Sequence, residues 1–183
     1  ADVRFLGVEA LSPDRLKEIS ESAVRHAKEK GISIVPLPEV GRPYEFHLSA
    51  MDGSLFDSEK LRGKVVMIDC WASWCRPCMA EIPHVKAVYD ATKGRTDFVL
   101  IGISLDTDAK ALKKACQNNG MAWPQAFGPK SGASEAFEAL DGVGIPYTCL
   151  IGPDGKLIAQ HLRGPEMVEQ IKKQLPALDK VKK

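Results

Sequence analysis

The chain has 183 residues, 44% apolar and 27% charged, so it can bury an ordinary core and is expected to form one domain with some decoration. Its net charge of +1 gives no broad field for nucleic acid or a membrane surface, and no apolar stretch approaches the ~20 residues that span a bilayer. It opens on Ala1 rather than Met, so a signal or membrane anchor is expected, if at all, outside these residues.

The first predicted element is a helix. Ser12-Pro13-Asp14 supplies a cap, a proline at the first position and an acid in the first turn. Leu16, Ile19, Ala23 and Ala27 share a face, and Gly31 ends it. Residues 32–43, with Pro36, Pro38, Gly41 and Pro43, read as an extended linker. Residues 1–40 are therefore taken as a helical extension with its linker. Residues 41–178 form the main domain and 179–183 a basic, flexible tail.

The main domain begins with a predicted hairpin, Phe46 and Leu48 on one arm and Leu55-Phe56 on the other, turning at Asp52-Gly53. The apolar run from Val65 to Trp71 reads as a buried strand. A helix follows from Cys75 to about Lys93, with a kink expected at Pro83. Phe98 to Leu105 is a second buried strand, and Asp108 to Asn119 a helix stopped by Gly120, with Leu112, Ala115 and Cys116 inward. Ser131 to Leu140 reads as a short helix. Tyr147–Ile151 and Lys156–His161 form a hairpin about Pro153-Asp154-Gly155, and Pro165–Leu175 is the closing helix. This order predicts an α/β fold, a mixed sheet flanked by helices on both faces.

The chemistry lies in Trp71-Ala72-Ser73-Trp74-Cys75-Arg76-Pro77-Cys78. A buried strand delivers two cysteines, three apart, to a helix N-terminus, where unsatisfied N–H groups and partial positive charge favour a thiolate. Cys75 is expected to be the exposed, attacking thiolate. Cys78, one turn on, can resolve the mixed disulfide. Half of a structural zinc site is the competing reading, but it needs two more ligands. Cys70, Cys116 and Cys149 are scattered singly and the four histidines form no close pair, so neither metal nor cofactor is expected. Arg76 either lowers the Cys75 pKa or is a solvated side chain. Asp69 is an acid inside an apolar strand: either a proton acceptor for Cys78 with a raised pKa, or a hydrogen-bonded structural carboxylate. Trp74 either flanks the thiols or packs in the core.

These residues resemble the thioredoxin superfamily, and most closely its TlpA/ResA-like thiol–disulfide oxidoreductases, over about residues 41 to 175. The resemblance rests on Gly41-Arg42-Pro43 through the Asp52-Gly53 turn and on Leu61-Arg62-Gly63-Lys64-Val65-Val66. It rests also on the Trp71–Cys78 block with Glu81-Ile82-Pro83, on Val143-Gly144-Ile145-Pro146, and on Leu150 to Lys156. It implies a thioredoxin-like sheet with an added N-terminal β-hairpin. It also implies a buried acid at Asp69, a cis peptide before Pro146, and a substrate surface including Trp74, Arg76, Pro77 and Ile145. Cys70 stands where relatives commonly have Phe, and Tyr147-Thr148-Cys149 where they commonly have Thr-Thr-Phe. Cys70 and Cys149 are expected on neighbouring strands, either as small buried hydrophobes or as a disulfide.

The resemblance implies dithiol–disulfide exchange with protein substrates, more as reductant than oxidant, outside the cytoplasm. An upstream protein would supply or accept electrons, and the chain is expected to be a monomer that binds no nucleic acid. Two alternatives are a thioredoxin-like binding module of a larger protein, serving one docked partner, and a thiol peroxidase. The peroxidase would need a Pro-x-x-x-Thr-x-x-Cys block, which the chain lacks.

Overall fold

A computed structural model of the chain describes residues 40–140 and 144–175, together with the single positions Ser22 and Glu29. The helix expected over 13–30 and the tail from 179 lie outside the described residues, apart from those two helical positions. The chain divides into two compact units, Ala1–Pro36 and Leu37–Lys183, and every element below belongs to the second.

The strands are β1 (His47–Ser49), β2 (Leu55–Asp57), β3 (Val65–Trp71), β4 (Phe98–Ser104), β5 (Gln125–Phe127), β6 (Tyr147–Ile151) and β7 (Leu157–Gln160). The helices are α1 (Arg76–Thr92), α2 (Ala109–Asn119), α3 (Ala133–Ala139) and α4 (Glu166–Gln174). β1 and β2 make an antiparallel pair, turned by the Asp52 carboxylate accepting from Ser54 N and by Gly53 at φ 89°. The five remaining strands form one sheet in the order β5-β4-β3-β6-β7. β4 runs parallel to β3 and β5 parallel to β4, whereas β6 is antiparallel to β3 and β7 antiparallel to β6. This is the thioredoxin-like mixed sheet with its small N-terminal hairpin.

β3 is central and wholly buried, so both of its faces must be covered. Its alternation divides the core. Val65, Met67 and Trp71 join Ile82 and Val85 of α1, Leu112 of α2 and Met167 and Ile171 of α4. Val66, Ile68 and Cys70 join Leu48 of β1, Ala133 and Ala136 of α3, and Tyr147 and Cys149 of β6. Asp69, being odd-numbered, lies on the α1 face.

The differences from the sequence-based expectations have local causes. β5 was not foreseen: three residues, Gln-Ala-Phe, are too short to show a period. α1 keeps Pro83 inside its span, as expected; the lost N–H removes one hydrogen bond from a helix that packing holds along its length. α3 starts at Ala133 rather than Ser131, because the Ser131 hydroxyl accepts from Ala133 N and donates to Gly128 O, making a turn. Leu112 and Ala115 of α2 point inward, but Cys116 is only half-buried. It lies at the margin of the buried face and lines an open cavity of about 270 Å³ with Met121 and Trp123. α2 ends as expected, at Gly120 with φ 62°. No described helix is long and apolar enough to cross a membrane.

Candidate active site

β3 ends at Trp71 and the chain turns through Ala72 to Cys75, with Cys75 N donating to Ala72 O at 3.1 Å. Cys75 is the N-cap of α1, in extended backbone (φ −83°, ψ 98°), and its Sγ accepts from Cys78 N at 3.2 Å. The sulfur therefore occupies the place of a capping oxygen. Pro77 falls in the first turn, where its missing N–H would have had no helical partner. Cys75 and Cys78 are joined as a disulfide, with Cα atoms 5.2 Å apart.

Cys75 is 6% exposed and Cys78 2%. The exposed Cys75 expected from sequence is thus corrected to a buried one, because bonding to Cys78 and capping draw its sulfur over the first turn of α1. Trp74 is 65% exposed, which excludes core packing and leaves an aromatic surface next to the dithiol in the chain. Arg76 and Pro77 are exposed. Arg76 sits at the positive end of the helix dipole, the wrong sign for a helix-stabilising charge. Ile145–Pro146 is a cis peptide. Ile145 is half-buried and packs against the cluster that contains Cys75 and Cys78.

Asp69 is 3% exposed and stands opposite Thr148 in β6, whose hydroxyl donates to its Oδ1 at 3.3 Å. Burial pushes its carboxyl up to about 7, against the Thr148 hydrogen bond and the Arg163 charge, which pull it down; Glu81 adds an upward push. Arg163, in the loop between β7 and α4, donates to Leu162 O at 2.7 Å and to Pro146 O. Glu81 of α1 accepts from Gly164 N at 2.7 Å. Loop 162–164 therefore ties the Pro146 loop to the helix that carries Cys78.

Three groups at the site were not singled out from sequence. Gln125 accepts from Trp71 Nε1 at 2.9 Å. Asp106, 7% exposed just beyond β4, accepts from Ser73 N at 3.0 and 3.2 Å, from Ser73 Oγ at 2.5 Å and from Ser104 Oγ at 2.8 Å. Arg163 was also missed, since one arginine in a loop has no motif. An acid directly after an apolar strand was the one available signal for Asp106.

The other thiols are poor nucleophiles. Cys70 and Cys149 are free and buried on the sheet face away from α1, so they behave as small hydrophobes, and no disulfide joins them. Burial pushes both thiols well above their ordinary range. Burial, with the Asp106 charge, raises Cys116 to about 11. His47 and His161 are exposed and His84 half-buried, and His26 lies outside the described residues.

The profile of the AhpC/TSA family matches residues 40–160. A thiol-disulfide oxidoreductase ResA of Bacillus thuringiensis subsp. konkukian is 27% identical over 138 residues, 75% of this chain and 77% of that protein. The thioredoxin domain of a thiol-disulfide oxidoreductase from Bacteroides vulgatus superposes with a TM-score of 0.64 at 26% identity, over 76% of this chain and 98% of that one. A thiol-disulfide oxidoreductase from Bacteroides fragilis does so at 0.63 with 25% identity, over 74% and 98%.

Proposed function

The chain belongs to the AhpC/TSA family and is a thiol-disulfide oxidoreductase of the ResA type, and on that premise we propose that it reduces disulfides in protein substrates outside the cytoplasm. The observation that carries the reading is the Cys75 sulfur capping α1, with Cys78 bonded to it and Asp69 buried on the sheet face beneath that helix.

In the proposed reaction, the reduced Cys75 thiolate attacks one sulfur of a substrate disulfide. A mixed disulfide forms and the other substrate sulfur leaves as a thiolate. The Cys78 thiol gives its proton to Asp69, directly or through water, and attacks Cys75 Sγ. The second substrate sulfur is released, the substrate has gained two electrons, and Cys75–Cys78 is oxidised. A donor protein returns two electrons by the same exchange in reverse. Ile145 and Pro146, with exposed Trp74, Arg76 and Pro77, offer the substrate surface. The extracytoplasmic setting follows the TlpA/ResA-like resemblance, and a topology-reporter fusion to the natural gene product tests it.

Alkylation of the reduced protein near pH 7 should label Cys75 first. Cys78→Ser should trap mixed disulfides with protein substrates, while Cys75→Ser should trap none. Dominant labelling of Cys116 or Cys70 would overturn the assignment. A reductant's couple should equilibrate below about −220 mV; a value near the −120 mV of a strong oxidant would reverse the direction.

A further inference from the structure

We infer that Asp106 is a positioning residue for the dithiol: its carboxylate holds the Ala72–Cys75 turn and so keeps the Cys75 sulfur in the capping place of α1. The inference rests on the proposed role of Cys75.

Both carboxylate oxygens are occupied, and every contact on them comes from a donor. Oδ1 takes Ser73 N and Ser73 Oγ, and Oδ2 takes Ser73 N and Ser104 Oγ. Asp106 N in turn donates to Ser104 Oγ at 3.1 Å, which fixes the carboxylate to the end of β4. Among the described residues no lysine, arginine or histidine pairs with it. A buried carboxylate without a cation needs hydrogen bonds to remain there. Here they come from β4's last residue and from Ser73, two residues before Cys75. A bond from a neutral N–H to an ionised acceptor is stronger than a neutral pair, so Ser73 is firmly held.

Ala72 and Cys75 are held by burial in the core, but the turn has few other hydrogen bonds. Leu105 N donates to Trp71 O at 2.9 Å and Cys75 N to Ala72 O at 3.1 Å, which leaves Ser73 and the exposed Trp74 to the side-chain clasp. If Ser73 is released, the direction in which Cys75 leaves the turn is no longer fixed. The Cys78 N–H to Cys75 Sγ bond then weakens, and with it the stabilisation of the thiolate. The charge of Asp106 acts in the opposite sense, since a nearby anion disfavours a thiolate. The sign of the effect therefore separates positioning from charge.

The test is the pH profile of Cys75 alkylation by iodoacetamide in the reduced protein. Asp106→Ala removes clasp and charge together, and its midpoint should rise by about one unit, equivalent to about tenfold less thiolate below the midpoint. Ser73→Ala removes one bond and should shift it the same way by less. Asp106→Asn keeps an acceptor oxygen for Ser73 and a donor for Ser104 but loses the charge, so its midpoint should lie at or somewhat below that of the wild type. An unchanged midpoint in Asp106→Ala, or a midpoint lowered in both Asp106 variants, would overturn the positioning role. If Asp106→Ala does not fold, Ser73→Ala decides alone: a raised midpoint supports the role and an unchanged one refutes it. Failure of the Cys75 reading would show separately, as another cysteine labelled first in the wild-type protein.

Discussion

Asp69 couples the chemistry of the site to the stability of the fold. Its carboxyl is raised from 3.8 to about 7 by burial. Between those values the unfolded chain has released the proton while the folded chain still holds it. Stability therefore falls as pH rises from about 4 to about 7, and the loss levels off above that at about 4 kcal/mol. Asp69→Asn should remove this dependence. Urea unfolding should show a gain of a few kcal/mol at pH 8 and almost none at pH 4; equal gains at both would mean that the carboxyl is not raised. The same variant should slow the resolving step, read as mixed disulfide accumulating in stopped reactions. In the wild-type protein that step should quicken through pH 7, as the carboxyl becomes able to accept the Cys78 proton.

At the scale of elements, the parallel pairing of β3, β4 and β5 assembles the floor of the site. Gly102 of β4 stands opposite both Asp69 and Gln125. A methyl group on it would overlap Gln125 Oε1, the atom that accepts from Trp71 Nε1. Glycine is needed here for space and not for its backbone freedom. Gly102→Ala should push the Gln125 carboxamide aside and leave a buried indole N–H unpaired, which costs about 1–3 kcal/mol. Denaturant melts would measure the loss, and a changed Trp71 emission, read against Trp71→Phe, would identify its origin. A Gly102→Ala protein as stable as the wild type would show that Gln125 moves without consequence.

For the compact unit as a whole, residues 41–44 act as a border to the sheet. Gly41 N donates to Leu157 O at 2.7 Å, Leu157 N to Arg42 O at 2.9 Å and Tyr44 N to Gly155 O at 3.1 Å. They cover the turn before β7 and the start of its free edge, which would otherwise invite pairing with another chain. Tyr44, 5% exposed, packs behind the sheet and donates its hydroxyl to Ala136 O of α3 at 2.6 Å. A chain begun at Glu45 should be less stable than one begun at Leu37 by at least about 3 kcal/mol, the loss typical of a deleted buried aromatic. It should also aggregate on heating, as light scattering would show. Equal melting temperatures would mean that the border is dispensable.

The dithiol, its place between strand and helix, and the strands β3, β4 and β6 could be read from local spacing alone. Each is a local signal: cysteines three apart, caps, and apolar runs bounded by turns. Asp69 was legible because an acid inside such a run breaks the pattern. What surrounds the dithiol is set by contacts between distant parts of the chain. Asp106 meets Ser73 across 33 residues, Trp71 meets Gln125 across 54, and Arg163 meets Pro146 across 17. Periodicity states which face of a strand is buried, but not which strand lies beside it or in what register. The exposure of Trp74, the burial of Cys75 and the half-exposure of Cys116 depend on how α1 and α2 settle on the sheet. That is fixed by packing between elements, on which local spacing is silent.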